Sequence, residues 1–213
     1  MIFKQLKVGP MQNFSYIIAD ENTKEAAVVD AGWEIDKMVK IADDEKLKIK
    51  KIILTHSHYD HVQKADELAS KTNAEVCFHE LDFDEIKPVI KNNSTKIIKL
   101  KNNDEIKIGN IKIKIIHIPG HTPGAICLLV ENKLLTGDTL FVNAIGRTDL
   151  AGGDSVKLFE SLQKLKKLND DIQVYPGHDY GEIQFSTIGN EKKNNPYFKC
   201  ESKEQFLNLL GLF

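Results

Sequence analysis

The sequence lacks the features of a secreted or membrane-inserted protein. No stretch approaches the roughly 18 consecutive apolar residues of a membrane span, so we expect none. The first residues contain no basic segment followed by an apolar stretch, so we expect no signal peptide. The three cysteines are odd in number, lie far apart and form no CxxC pair. We therefore expect reduced thiols in a cytoplasmic protein.

The sequence also lacks a strong excess of charge. The formal net charge is −2 and the isoelectric point is about 6.4. We therefore expect no general attraction to nucleic acid or to an anionic membrane surface. The chain contains no internal repeat, low-complexity segment or linker that would divide its 213 residues. We predict a single domain over residues 1–213, with its oligomeric state left open.

Short β-rich runs and amphipathic helical stretches alternate along the chain. We predict strands over residues 13–20, 25–30, 50–55, 125–131, 134–136 and 172–175. A hairpin is predicted around the turn at Gly109 and Asn110. Helices are predicted over residues 34–46, 62–71, 154–168 and 202–210, with Asp154 as an N-cap. This mixture indicates an α/β protein.

One segment, ILTHSHYDHVQ at residues 53–63, concentrates titratable side chains. It contains His56, His58, Asp60 and His61 within six positions. Such crowding is hard to explain by packing, but it is expected around a bound cation. The segment joins a predicted strand to a predicted helix, so the four side chains lie on a loop, where functional residues often occur.

Three later predicted strands each end in one more ligand-type residue beside a glycine. They are His121 in PGHTPG, Asp138 in GDTLF and His178 in PGHDY. The seven residues provide five imidazoles and two carboxylates, which suit zinc, iron or manganese better than calcium, magnesium or copper(I). Seven ligands exceed the needs of one tetrahedral ion. We therefore predict two divalent metal ions that share a carboxylate, with zinc as the default.

The remaining histidines and cysteines have simpler interpretations. His79 and His117 are expected to be structural, and the cysteines are not expected to be catalytic. Asp30 follows the run EAAVV and has two open interpretations. It either orients a ligand histidine or serves as a turn or capping residue.

Residues 55–61, THSHYDH, resemble the HxHxDH signature of the metallo-β-lactamase superfamily. The later ligand residues occur in the order found in that superfamily, and the resemblance covers nearly the whole chain. It implies a four-layer αββα sandwich, in which two mixed β-sheets pack together with helices on the outer faces. The metal site is then expected at one edge of the sandwich.

The resemblance also implies a role for each residue. The first metal ion would be held by His56, His58, His121 and Asp138. The second would be held by Asp60, His61, His178 and the shared Asp138. Asp60 is also implied as a catalytic residue that accepts or passes a proton from the nucleophilic water.

Several segments resemble the glyoxalase II-type thioester hydrolases, also called hydroxyacylglutathione hydrolases. They are GPMQNFSYII, GDTLF, GRTDLAGGD and STIGNEKKNNPYF. This resemblance implies a small-molecule thioester substrate such as S-lactoylglutathione, attacked at its carbonyl by a metal-bridging hydroxide. Two departures from the family pattern leave undetermined which thiol carrier the substrate has and how the loop at the pocket mouth is arranged. Only about 18 residues follow Asn195, fewer than a glutathione-binding helical segment needs, and Val62, Gln63 and Lys64 stand where the family usually has glycines.

Two further residues are candidates for substrate binding. Arg147, in IGRTDLAGG, either grips a substrate carboxylate or forms a structural pair with Asp149 or Asp154. Tyr180 follows the ligand candidate His178 closely and is a second candidate for the pocket.

A persulfide dioxygenase of the same superfamily is the main competing function. Such an enzyme uses one iron, here held by His56, His121 and Asp138. Three further functions are disfavoured by the residues present. The presence of His58 disfavours a flavodiiron-like reductase core, the lack of a basic exosite disfavours a nucleic-acid-processing enzyme, and the complete ligand set disfavours a scaffold.

Overall fold

The computed structural model describes residues 1–212, and most of its strands belong to two six-stranded sheets. Sheet A contains β1 (Ile2–Val8), β2 (Asn13–Ala19), β3 (Glu25–Val29), β4 (Lys48–Ile53), β5 (Glu75–His79) and β6 (Ile97–Leu100), in this spatial order. The first three strands are antiparallel, and β3 to β6 are parallel. Sheet A is therefore a mixed sheet.

The later strands form sheet B and a small hairpin. In chain order they are β7 (Glu105–Ile108), β8 (Ile111–His117), β9 (Ile126–Val130), β10 (Lys133–Gly137), β11 (Leu140–Phe141), β12 (Ala144–Ile145), β13 (Gln173–Pro176) and β14 (Ser186–Thr187). Sheet B has the order β14-β13-β10-β9-β8-β7, in which only β10 and β13 are parallel. Strands β11 and β12 pair with each other.

Helices connect and cover these strands. They are α1 (Ile35–Asp44), α2 (Tyr59–Val62), α3 (Ala65–Thr72), α4 (Phe83–Ile86), α5 (Ser155–Leu165), α6 (Ile188–Asn194), α7 (Pro196–Lys199) and α8 (Lys203–Leu209). Two 3₁₀ helices occupy Glu80–Asp82 and Lys87–Val89. None of these helices, over the described residues 1–212, combines the length and the apolar character needed to cross a membrane.

Three buried apolar clusters show how the layers of the fold pack on one another. One packs α1 and α3 on sheet A, through Met38 and Leu68. The second fills the space between the sheets and includes Phe14 of β2 and Leu128 of β9. The third packs α5 and the last helices on sheet B and includes Leu162. The order helix, sheet, sheet, helix confirms the predicted four-layer αββα sandwich, because each sheet buries one face on the other and one on helices.

Most predicted elements agree with the structure, and one helix needs correction. The predicted helix 62–71 begins too early: Val62 ends α2, and the helix itself is α3, over Ala65–Thr72. The two are separated because the backbone amide of Lys64 donates to the carbonyl of Ala31 at 3.0 Å rather than within a helix. Asp154 is confirmed as the N-cap of α5, since its carboxylate accepts from the amides of Val156 and Lys157. The elements that were not predicted are strands β1, β5, β6, β11, β12 and β14 and helices α4, α6 and α7. The single domain over residues 1–213 remains a prediction.

The three cysteines are buried and unpaired. Burial raises the pKa of the Cys77 thiol to about 12 and raises that of Cys127 as well. A thiol with a raised pKa carries little thiolate near neutral pH. The structure therefore agrees with thiols that pack in the core.

Candidate metal centre

The seven predicted ligand residues meet at one edge of the sandwich. His56, His58, Asp60 and His61 follow the end of β4, with the last two on α2. The other three follow strands of sheet B: His121 after β8, Asp138 after β10 and His178 after β13. The site is thus assembled from loops at the ends of both sheets.

The first donor group comprises His56, His58 and His121. One nitrogen atom from each ring lies within 4.8 Å of the others. The Nε2 atoms of His56 and His121 are buried and have no hydrogen-bond partner. Asp138 Oδ2 lies 4.0 Å from the first and 3.6 Å from the second. These two nitrogen atoms are therefore desolvated without compensation, which is costly unless a ligand pairs with them.

The second donor group comprises Asp60, His61 and His178. The Nε2 atoms of the two histidines are 3.1 Å apart. Asp60 Oδ2 lies 3.4 Å from His61 Nε2 and 3.3 Å from His178 Nε2. Asp138 also contacts this group, with Oδ1 3.4 Å from His61 Nε2 and Oδ2 3.2 Å from His178 Nε2. Asp138 therefore lies between the two donor groups.

These distances fit the coordination of a small divalent cation. Ligand atoms at about 2.0–2.1 Å from a tetrahedral zinc ion are about 3.3–3.4 Å from one another. The contacts within the second group, 3.1 to 3.4 Å, are close to that spacing. In the first group, the distances from Asp138 Oδ2 to the histidine Nε2 atoms are longer, at 3.6 and 4.0 Å. This group nevertheless presents the two Nε2 atoms, of His56 and His121, that have no hydrogen-bond partner. The residues present therefore fit two metal ions.

Backbone carbonyls orient two of the histidines. His121 Nδ1 lies 2.7 Å from the carbonyl oxygen of Arg147, and His178 Nδ1 lies 2.9 Å from that of Met11. A carbonyl oxygen only accepts, so each Nδ1 carries the proton. In the neutral rings, the Nε2 atoms are then lone-pair donors that face the site.

Asp30 contacts His61 directly and His56 through the hydroxyl of Thr55. Its Oδ2 lies 3.0 Å from His61 Nδ1 and accepts from the Thr55 hydroxyl at 2.7 Å, while its Oδ1 accepts from the Thr55 amide at 2.8 Å. The same hydroxyl lies 3.0 Å from His56 Nδ1. Of the two interpretations of Asp30, the structure supports the one in which it orients a ligand histidine.

Asn13 is a site residue that the sequence did not reveal. Its side-chain amide donates to Asp60 Oδ2 at 2.7 Å and lies 3.3 Å from His61 Nε2. The side chain is buried, at 2% exposure, at the start of β2. In the sequence Asn13 is simply the polar residue at the start of a β-run. Only its contact with a residue 47 positions away shows its role.

The carboxylates of the site are held ionised. Burial of Asp138 opposes its ionisation, but His61, His178 and His56 outweigh burial and hold its pKa well below the usual range. Asp60 is affected in the same way, since hydrogen bonds from His178 and His61 overcome burial and lower its pKa. Two adjacent anions are thus available for a cation.

The pKa values of two histidines in each group are shifted, in opposite directions. Burial lowers the pKa of His56 well below its usual value and that of His58 to about 4, so both are neutral. Burial alone would also lower the pKa of His61 and His178, but Asp138 and the other carboxylates raise both, that of His178 to about 9. Their Nε2 atoms are too close for a proton on each, so the pair holds one extra proton when no cation is bound.

A cavity of about 520 Å³ opens above the donor groups, and Arg147 and Tyr180 both line it. The Arg147 guanidinium donates twice to the Asp149 carboxylate, each time at 2.6 Å, so the structural pair expected as one of its two roles is present. The Tyr180 ring stacks on His178 with 4.5 Å between ring centroids. Substrate binding by either residue remains a prediction.

The two remaining histidines lie outside both donor groups. His79 and His117 stack on each other with 3.9 Å between ring centroids. His117 Nε2 also lies 2.9 Å from the carbonyl oxygen of Pro123. These contacts agree with the structural role expected for both.

An αββα sandwich with histidines and carboxylates gathered at one edge defines a class of metal-binding α/β proteins. Residues 8–178 match the family described as the metallo-beta-lactamase superfamily, and the chain belongs to that superfamily.

Individual relatives cover most of the chain. The probable polyketide biosynthesis zinc-dependent hydrolase PksB of Bacillus subtilis is 34% identical over 196 residues, which cover 92% of this chain and 85% of PksB. The hydroxyacylglutathione hydrolase GloC of Haemophilus influenzae is 34% identical over 206 residues, covering 90% and 94% of the two chains. The crystal structure of ETHE1 from Myxococcus xanthus matches with a TM-score of 0.88 at 30% identity. The match covers 99% of this chain and 90% of the ETHE1 chain. The fold and these relatives support a metal-dependent hydrolase.

Proposed function

We propose that the protein hydrolyses thioesters in the manner of glyoxalase II, using two divalent metal ions. The main support is the second donor group, whose ligand atoms already have the spacing of a coordination shell beside the first group. The names of PksB, a zinc-dependent hydrolase, and GloC, a hydroxyacylglutathione hydrolase, support the same chemistry.

Each donor group would hold one ion. The proposed ligands of the first ion are His56, His58 and His121, and those of the second are Asp60, His61 and His178, with Asp138 shared. Zinc is proposed for both positions, and iron and manganese suit the same ligands. Bound there, divalent cations would lower the pKa of a water molecule and offset the negative charge that develops on a substrate carbonyl oxygen.

The residues of the chain supply position and proton transfer. Asn13 holds Asp60 through its side-chain amide, so the carboxylate has a fixed direction beside the attacking water. The water oxygen bonds to the carbonyl carbon, the carbon–sulfur bond breaks, and the sulfur leaves as a thiolate. Asp60 accepts the proton that the water loses and returns it to the thiolate or to solvent. The products are a carboxylic acid and a free thiol.

Hydrolysis can be tested by measuring thiol release from thioesters with the metal-loaded protein. We expect release by the native chain and a loss of about 10²–10⁴-fold in kcat for Asp60→Asn, because the proton acceptor is removed. Asp84→Asn changes an exposed carboxylate outside the site and serves as the matched control. Absence of thiol release from every thioester tested, with both metal positions filled, would contradict the proposal.

A persulfide dioxygenase with one iron is the second candidate. The unpaired Nε2 atoms of His56 and His121 face Asp138, and these are the three ligands that such an enzyme needs. The structural similarity to ETHE1 fits this candidate equally well. Oxygen uptake on addition of glutathione persulfide to the iron-loaded protein distinguishes it, since a hydrolase consumes no oxygen.

A further inference from the structure

Helix α5 holds the chain on the amino-terminal side of His121. The hydroxyl of Ser161, in α5, donates to the carbonyl of Pro119 at 2.7 Å. The backbone amide of Asp154, the N-cap of that helix, donates to the carbonyl of Gly120 at 2.8 Å. The two residues that precede His121 are therefore fixed by an element that covers sheet B.

Asp82 holds the chain on the carboxyl-terminal side of His121. It lies in the 3₁₀ helix that follows β5 of sheet A, and it is buried, at 1% exposure. Its Oδ2 accepts from the hydroxyl of Thr122 at 2.8 Å, and its Oδ1 accepts from the backbone amide of Gly124 at 2.6 Å. One carboxylate from the sheet A half of the chain thus binds the residues one and three positions after His121.

The contact between Asp82 and this loop is close as well as hydrogen-bonded. A Cβ atom on Gly124 would lie 2.6 Å from both Cγ and Oδ1 of Asp82, so an alanine there would push the carboxylate away. Burial raises the pKa of Asp82, and hydrogen bonds, that of the Ser57 side chain among them, oppose the rise. Ser57 stands between His56 and His58 in the chain. Asp82 therefore contacts both segments that carry the first donor group.

The imidazole of His121 depends on these backbone contacts for its position. The carbonyl of Arg147 lies 2.7 Å from its Nδ1 and orients the ring. Its Nε2 has no hydrogen-bond partner and lies 3.6 Å from Asp138 Oδ2. A metal ligand must be held within about 0.5 Å of its binding position, so a shift of the loop would move this nitrogen atom out of place.

We propose that Asp82 is a positioning residue of the first donor group. By holding residues 122 and 124, it fixes His121 where Nε2 can bind a metal ion together with His56 and His58. The second donor group should depend on Asp82 less, since His178 lies on a separate loop after β13. This inference rests on the proposed binding of metal at the first group, but it does not rest on thioester hydrolysis.

The test measures zinc affinity at each donor group separately, by competition with a chelator. His178→Ala keeps the first group complete, and His58→Ala keeps the second. Added to His178→Ala, Asp82→Ala should lower zinc affinity by about tenfold or more. Added to His58→Ala, it should change the affinity by less than about twofold. Equal losses in the two chains would overturn the inference, because a general loss of stability affects both groups alike.

Asp20 provides a matched control at the other end of β2. It is also a buried carboxylate that joins the two sheets, since it accepts from the backbone and side-chain amides of Asn110 in the turn between β7 and β8. In the His178→Ala chain, Asp20→Ala should destabilise the fold through lost hydrogen bonds and leave zinc affinity unchanged. A loss of affinity equal to that of Asp82→Ala would contradict a specific role of Asp82.

Asp82→Asn tests whether the hydrogen bonds of Asp82 position the loop. Asparagine keeps an oxygen that can accept from the Gly124 amide, and its amide nitrogen can donate to the Thr122 hydroxyl oxygen. In the His178→Ala chain, we therefore expect Asp82→Asn to lower zinc affinity by about threefold or less. A loss as large as that of Asp82→Ala would contradict positioning through these bonds.

Two variants of Thr122 keep the inference testable if Asp82→Ala does not fold. Thr122→Val removes only the hydroxyl that donates to Asp82, and Thr122→Ser retains it. In the metal-free protein, the Gly124 amide should exchange its hydrogen about threefold or more faster in Thr122→Val, while exchange over residues 176–179 stays unchanged. Equal exchange of the Gly124 amide in the two variants would overturn the inference. If neither donor group binds zinc, the two-metal function is wrong, and this exchange measurement alone decides whether Asp82 holds the loop.

Discussion

At the scale of single residues, the hydrogen bonds behind the histidines decide which nitrogen atoms face the metal centre. Asp30 is the most connected of these partners, since it accepts from Thr55 twice and faces His61 Nδ1. Its own φ is +57°, a left-handed conformation that asparagine also tolerates. Asp30→Asn therefore changes the hydrogen bonding without a change in backbone strain.

We expect Asp30→Asn to weaken metal binding by about 10- to 100-fold, because an amide nitrogen cannot accept the proton of His61 Nδ1 and the imidazole loses its orientation. Competition with a chelator measures the change in affinity. Asp44→Asn is the control, since it alters an exposed carboxylate that pairs with Lys40. Equal affinities of the two variants would show that Asp30 does not orient the ligand.

The extra proton held by the His61 and His178 pair predicts how pH affects the stability of the metal-free protein. The pKa of His178 is raised to about 9, above its value of about 6.5 in an unfolded chain. The stabilisation from this shift is fully present below pH of about 6.5 and is lost as the pH rises through about 9. In the metal-loaded protein the cation takes the place of the proton, so metal binding strengthens over the same range.

The difference in melting temperature between the metal-loaded and metal-free forms should therefore widen from about pH 6 to about pH 8.5. Thermal unfolding of both forms in matched buffers measures it. The buried thiols titrate on unfolding in both forms, so their effect cancels in the difference. A difference that stays constant or narrows would contradict the proton assignment.

The ligand residues were predictable from the sequence, whereas their supporting partners were not. His56, His58, Asp60 and His61 stand close together in the chain, so their residue types alone indicate a metal site. The support of Asn13 for Asp60 depends on the folded chain, since a strand must bring together residues 47 positions apart. Its residue type does not distinguish it from a turn asparagine.

At the scale of elements, glycines beside the strand ends let the loops approach the metal centre. A Cβ atom on Gly177 would lie 2.2 Å from Asp138 Oδ1 and 3.1 Å from His61 Cε1. Contacts of 2.2 Å are impossible, so the shared carboxylate would have to move. The loop after β13 therefore depends on glycine at this position.

Gly177→Ala should lower metal affinity by about tenfold or more and destabilise the fold by about 1–3 kcal/mol, because the site is overpacked. Metal titration and thermal unfolding measure the two effects. Gly211→Ala separates them, because apart from its two chain neighbours no atom of residues 1–212 lies within 4 Å of an added Cβ. Its φ of +71° costs about 1–2 kcal/mol with no effect on metal binding. Unchanged metal affinity in Gly177→Ala would contradict the close packing at this loop.

The sequence predicts helices and strands correctly where the signal, a periodic pattern or a helix cap, comes from residues close together in the chain. Asp154 caps α5 as predicted, because its contacts are with residues two and three positions later. Strands β1, β5 and β6 were missed because their burial depends on neighbouring strands and layers. Residues of β1 are mostly half-buried at a sheet edge, which leaves a weak alternating pattern.

At the scale of the whole molecule, the sandwich places the metal centre where the ends of both sheets meet. The apolar clusters fix the two sheets against each other, so ligands from β4 and from three strands of sheet B keep a common position. Family membership agrees with this arrangement, since residues 8–178 span all seven ligand candidates. A cytoplasmic location and the lack of nucleic-acid or membrane partners remain predictions.

The most direct test of the two-metal hydrolase is metal content and thiol release measured on one purified sample. We predict about two divalent ions per chain together with thioester cleavage, and loss of both in Asp138→Ala, because Asp138 contacts both donor groups. About one iron per chain, no thiol release, and oxygen uptake with glutathione persulfide would contradict the account and favour the dioxygenase.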